Sequence, residues 1–137
     1  MAIVERAGLF FELFPRKYEE KEDDPFIFST LALSVESRGS FHFYGALLMK
    51  SEYEYLISQI ALMLDGELNK FILNPVEPIF RMTIEREEVI LYRFMVRFQT
   101  GKPRELIFYM NDCEINRFNE ELKEEMTQIL PPPYPNL

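Results

Sequence analysis

Glu88-Val89-Ile90-Leu91-Tyr92-Arg93-Phe94-Met95-Val96-Arg97-Phe98-Gln99 is the stretch whose reading decides the fold. Taken with a period of two, it places Ile90, Tyr92, Phe94, Val96 and Phe98 on one face. Val89, Leu91, Arg93, Met95, Arg97 and Gln99 fall on the other. A strand alternates its side chains between two sides of a sheet, so this pattern predicts a long strand with one apolar and one mixed, cationic face. The apolar face needs a cover; the mixed face is either a solvent face or a place where something binds.

Outward from that strand the pattern continues. Before it, Phe80, Met82 and Ile84 alternate with Arg81, Thr83 and Glu85, and Arg86-Glu87 reads as a tight polar turn between the two runs. After it, Thr100-Gly101-Lys102-Pro103 is a turn. A partner strand at 104–110 then sets Leu106, Phe108 and Met110 against Glu105, Ile107 and Tyr109. Asn111-x-x-Glu114 resembles a capping box, in which each side chain satisfies a free backbone N–H of the other, with Asp112 as a rival cap. The helix it opens carries Ile115, Phe118, Leu122, Met126 and Ile129 along one stripe and Glu120, Glu121, Glu124 and Glu125 on the other side.

The N-terminal half reads in a similar way. Residues 26–36 and 40–49 alternate around Ser37-Arg38-Gly39-Ser40, a hairpin with glycine at the position that needs positive φ. Ser51-x-x-Glu54 is expected to cap a helix bearing Tyr53, Leu56, Ile57, Ile60 and Leu64, with Gly66 closing it. A short strand is expected at 69–74 and another at 7–14, the latter ended by Pro15. The acid-rich run 19–24 reads as a solvated loop. No internal repeat is seen. The expected fold is α+β: one antiparallel sheet of five or six strands, with two amphipathic helices on one face and the other face open. Residues 1–130 form a single domain in this reading, with 1–25 peripheral, and 131–137 are a flexible Pro-rich tail.

Composition narrows the function. A chain of 137 residues with 47% hydrophobic residues has the size and apolar content of one folded domain. Its net charge of −8 opposes nucleic acid and anionic membrane as partners and suits attraction to a cationic protein. One cysteine, Cys113, cannot form an internal disulfide. The N-terminus is interrupted by Glu5, Arg6 and Glu12, and no run approaches the ~20 apolar residues of a membrane helix, so the cytoplasm is the expected location.

Catalytic chemistry finds little support. His42 is the sole histidine, without the further N or S ligands that zinc requires or an evident orienting partner for a general base. No histidine follows Cys113 to activate it as a nucleophile. No glycine-rich phosphate loop is present. No catalytic, cofactor-binding or metal-binding residue is therefore assigned. The constellation that stands out combines His42, Tyr44, Arg81, Arg93, Met95, Arg97 and Tyr109, expected together on the open sheet face. Aromatics, Met and Arg are the types enriched at interface cores, which makes this a candidate partner surface. The bland alternative is a solvent face shielded by long side-chain stems, with arginines paired to Glu85 or Glu105 across strands. A second, acidic surface is expected at Glu120, Glu121, Glu124 and Glu125.

From Leu31 to Met126 the chain resembles the WapI-like family of bacterial immunity proteins. The likeness lies in the Leu-Ala-Leu-Ser-Val-Glu strand, the Phe-His-Phe-Tyr-Gly strand, a helix closing on Leu-Asp-Gly, and the final Leu-Ile-Phe-Tyr-Met-Asn-Asp-Cys-Glu-Ile-Asn-Arg-Phe. The turn Asn-Asp-Cys-Glu departs from the family's usual Asp-Gln-Thr-like turn. The resemblance implies a non-enzymatic cytoplasmic protein that binds and neutralises a cognate toxin domain, often a nuclease. It supplies no catalytic residues. Two other readings stand beside it. One is a small-ligand or enzymatic domain with a polar pocket around His42, Arg93 and Arg97. The other is a homodimer through Tyr44, Met95 and Tyr109.

Overall fold

The computed structural model describes residues 1–19 and 24–129. The core of the acidic run (20–23) and the Pro-rich tail (131–137) thus lie outside the described residues. The strands form two sheets rather than one. The first is a four-stranded antiparallel meander of β1 (Ile3–Arg6), β2 (Leu9–Tyr18), β3 (Phe26–Val35) and β4 (Gly39–Met49). Helix α1 (Lys50–Leu64) follows it. The second meander contains β5 (Lys70–Leu73), β6 (Phe80–Glu88), β7 (Leu91–Phe98) and β8 (Arg104–Asn111), and leads into α2 (Asp112–Gln128). Four strands and a helix thus occur twice, a repeat of elements without a visible repeat of residues.

This corrects the expectation of one sheet of five or six strands. Residues 1–19, expected to be peripheral, supply half of the first sheet. Pro15 does not end its strand: β2 runs on to Tyr18, and the register with β3 shifts between Pro15 and Lys17. A bulge is one of the few places in a sheet where the missing proline N–H is tolerated.

The two sheets touch through their apolar faces. Phe11 of β2, fully buried, lies with its ring centroid 6.2 Å from Phe94 of β7, 5.0 Å from Phe108 of β8 and 5.3 Å from Phe118 of α2. Farther along, Phe41 of β4 stacks on Phe98 of β7 at 3.8 Å. Two arginines tie the sheets at their rims. Arg6 donates to the Tyr109 carbonyl at 2.6 Å and to Glu114 at 2.6 Å, and Arg104 donates to the Ser40 carbonyl. Helix α2 packs on β1, β2, β7 and β8, while α1 packs on β4, β5 and α2. The helices therefore seal one shared core, as their apolar stripes require: Tyr53, Leu56, Ile60 and Met63 of α1 and Ile115, Phe118 and Leu122 of α2 are buried.

The helix ends follow local rules. The Asn111 side chain accepts from the Glu114 N–H at 2.8 Å and the Glu114 carboxylate accepts from the Asn111 N–H at 2.9 Å, the capping box read from sequence. At the end of α1, Gly66 takes φ +79°. There the N–H of Glu67 bonds the Leu62 carbonyl and that of Gly66 the Met63 carbonyl, a Schellman closure. The start of α1 differs from expectation. Its N-cap is Met49, whose N–H is taken by Glu52 at 2.8 Å, while Ser51 is drawn off to hydrogen-bond Asp24.

Candidate functional site

Because the sheets meet by their apolar sides, the outer face of each points away from the other. Neighbouring residues make this plain. Phe41 and Phe98 stack between the sheets, so His42 and Arg97, next to them in sequence, project to opposite sides of the molecule. The seven residues expected on one surface are thus divided. His42 and Tyr44 belong to the first sheet; Arg81, Arg93, Met95, Arg97 and Tyr109 belong to the second. A polar pocket around His42, Arg93 and Arg97 does not form, since these side chains do not converge.

The outer face of the second sheet is an ordered grid. Cross-strand register aligns Lys70, Glu85, Arg93 and Tyr109 in one row, and Ile72, Thr83, Met95 and Ile107 in the next. Arg81, Arg97 and Glu105 make a third. The middle row is largely apolar, and its ends, Ile72 at 37% and Ile107 at 42%, are exposed. Tyr109 beside it is 39% exposed.

The arginines of this face have different electrostatics. Arg93 stands opposite Glu85, to which it is ion-paired, and it also reaches Glu87 at 2.9 Å. Glu87 itself sits at the register shift, between the paired Arg86 and Glu88. Arg81 and Arg97 stand directly opposite each other, both are exposed, and neither has an ion pair among the described residues. Like charges in direct cross-strand register are destabilising.

The outer face of the first sheet presents another cluster. The rings of Phe28 and Tyr44 stack at 6.2 Å. The Arg16 guanidinium lies 4.6 Å from the Phe14 centroid and 5.6 Å from that of Tyr44, and its Nε donates to Thr30 at 2.7 Å. Lys17 covers Phe28 at 5.5 Å. Phe14, Arg16 and Phe28 were not among the sequence-read candidates. The alternation of Phe10, Glu12 and Phe14 in a strand at 7–14 is the available signal for Phe14, and ending that strand at Pro15 hides Arg16, which β2 carries beyond it.

On α2 the expected acidic surface is uneven. Glu120 and Glu124 are exposed and Glu121 is half-buried, but Glu125 is buried at 8% exposure. Burial raises the Glu125 carboxyl above the ordinary glutamate range, against the opposing pull of the Met1 amino group 3.2 Å away. His42 is exposed. Cys113 is a free, exposed thiol on the rim of a cleft of about 490 Å³ between the end of α1, the Val89–Ile90 turn and the start of α2. Arg86, also in that cleft, is held by the Met63 and Val89 carbonyls and the Tyr92 ring. No group of three His, Cys, Asp or Glu side chains suited to a metal ion occurs among the described residues. No helix among them is long and apolar enough to cross a membrane.

The chain is thus an α+β protein of two packed sheets, each with an outward-facing side, and comparison with known proteins gives it a family. The chain belongs to the immunity protein WapI-like family, whose model matches residues 3–130. It is similar to the immunity protein WapI of Bacillus subtilis (strain 168), at 32% identity over 129 residues, which span 94% of this chain and 90% of that protein. No solved structure matches the chain.

Proposed function

We propose that this immunity protein neutralises a cognate toxin domain by binding it, without chemistry of its own, and that the outer face of the second sheet is the contact surface. The observation that carries this reading is the grid on that face. An apolar row from Ile72 to Ile107 crosses all four strands, flanked by Arg81, Arg97 and Tyr109. Four strands, with the central β7 eight residues long, cover roughly 27 Å by 15–19 Å. That is about 400–500 Å² in projection, roughly half or more of the ~800 Å² per partner of a standard interface.

The net charge of −8 serves a different purpose. It acts at long range, and the exposed Glu120 and Glu124 of α2 add to a field that draws a cationic toxin domain in. Steering of this kind works in the cytoplasm, where an antidote protects the cell that makes it.

The test is protection and capture. The genes adjoining this chain's own are the first place to seek the cognate toxin domain; that domain, produced alone, should stop growth, and co-expression of the chain should restore it. The purified proteins should form a stable complex. Substituting Ile72 and Ile107 with Asp should abolish both effects while circular dichroism stays native. A toxin that kills equally with and without the chain would refute the reading.

A further inference from the structure

We infer that Arg81 and Arg97 form a clamp for a carboxylate side chain of the toxin domain; this rests on the proposed contact face. Three observations carry it. First, backbone register sets the two arginines directly opposite each other on adjacent strands, Arg81 against Arg97, and like charges so paired cost the free protein stability. Second, the other strand arginines are already engaged. Arg6 holds Glu114 and the Tyr109 carbonyl, Arg16 holds Thr30, Arg86 holds two carbonyls, Arg93 holds Glu85 and Glu87, and Arg104 holds the Ser40 carbonyl. Arg81 and Arg97 lack such partners among the described residues. Third, the chain has 23 acidic residues with which to neutralise such a pair, and the same face shows the device at work on Arg93. In the third row the only acid is Glu105, opposite Arg97 on the side away from Arg81 and without an ion pair to it.

Two arginines directly opposite each other on adjacent strands are within reach of one anion held between them. Arginine binds carboxylates bidentately, and the fork's planar geometry adds specificity to the charge attraction. The adjoining row of Thr83, Met95 and Ile107 would lie under the same partner segment and exclude water, which strengthens the contact. The occupant is therefore an Asp or Glu on a toxin segment with apolar neighbours. Long-range attraction through the chain's acidic field and this short-range contact are separate, the first setting the rate of encounter and the second the lifetime of the complex.

The experiment measures binding kinetics and melting together, with an active-site-inactivated form of the toxin domain identified by the protection assay as the probe. Arg81→Glu sets an acid opposite Arg97. The isolated variant should melt at the same temperature as the parent or a few degrees higher, about 1–3 °C, since a repulsive pair becomes an attractive one. Its complex should dissociate about 100-fold faster or more, with a smaller change in association rate. Arg81→Gln with Arg97→Gln should lose affinity to a similar degree. Replacing the contacted Asp or Glu of the toxin with Lys should weaken binding to the parent and restore it to Arg81→Glu. A parent chain that fails to bind the toxin would overturn the proposed function. A parent that binds, with both Arg variants binding equally well, would overturn the clamp alone.

Discussion

Phe11 is the point at which the two halves of the fold depend on each other, and its truncation tests whether they do. The side chain belongs to β2, is fully buried, and touches rings from β7, β8 and α2 at 5.0–6.2 Å. Phe11→Ala removes a ring from the seam between the sheets and leaves a cavity bounded by Phe94, Phe108 and Phe118. Those neighbours come from three elements anchored elsewhere, so collapse into the space is restricted, and the loss should fall within the about 3–5 kcal/mol typical of such sites. Against a total stability of about 5–15 kcal/mol for a domain, that is a third or more of the whole. In urea titration followed by far-ultraviolet circular dichroism and tyrosine fluorescence, the midpoint should fall sharply in both signals, with one transition and an unchanged slope. Phe11→Leu, which keeps most of the volume, should cost much less. A loss below about 1 kcal/mol, or two separated transitions in the parent protein, would refute a single core shared by both sheets.

Other tests address the helices and a buried acid. Asn111→Ala removes the side-chain acceptor that holds the Glu114 N–H and should cost about 1 kcal/mol, read from the denaturation midpoint. Gly66→Ala should cost about 1 kcal/mol as well. An added Cβ there meets no atom within 4 Å, so the penalty comes from the +79° backbone angle alone. Glu125 holds its proton more tightly in the folded protein, so its ionisation as pH rises from the unfolded value towards the raised folded one is paid by the fold. Glu125→Gln should therefore melt higher than the parent at pH 7.5, with the difference shrinking towards pH 4; a constant difference across that range would contradict the assignment.

Local features of this chain were legible and the global pairing was not, for a physical reason. The Asn111 capping box, the Gly66 closure and the hairpin between β3 and β4 depend on residues within a few positions of one another, and sequence states those directly. Period-two alternation says that Phe94 and Phe41 face inward, but an inward face is satisfied equally by a helix or by a second sheet. The choice between one sheet and two depends on whether β4 and β5 pair across α1, and nothing local in either strand decides it. The candidate site inherited that ambiguity. On a single sheet, His42 and Tyr44 share a face with Arg93 and Arg97; on two sheets packed by their apolar sides, they cannot.

A finer loss came from the β6–β7 turn. Phe80, Met82 and Ile84 must lie opposite Tyr92, Phe94 and Val96 for both strands to bury their apolar sides, which requires partners of like parity. A two-residue turn at Arg86-Glu87 or at Val89–Ile90 breaks that parity, and the structure restores it with the register shift between Arg86 and Glu88. That one extra residue has two consequences on the outer face. It supplies Glu87, the second acid on Arg93 alongside Glu85, and it lets the Val89–Ile90 turn coexist with the register that sets Arg81 opposite Arg97. Deleting Glu87 joins the Arg86–Tyr92 pair directly to the Glu88–Leu91 pair, so the variant should lose the second ion pair of Arg93 while Glu85 stays opposite Arg93 and Arg81 stays opposite Arg97; a shift of the β6–β7 pairing in hydrogen-exchange or nuclear Overhauser data would refute this account of the bulge.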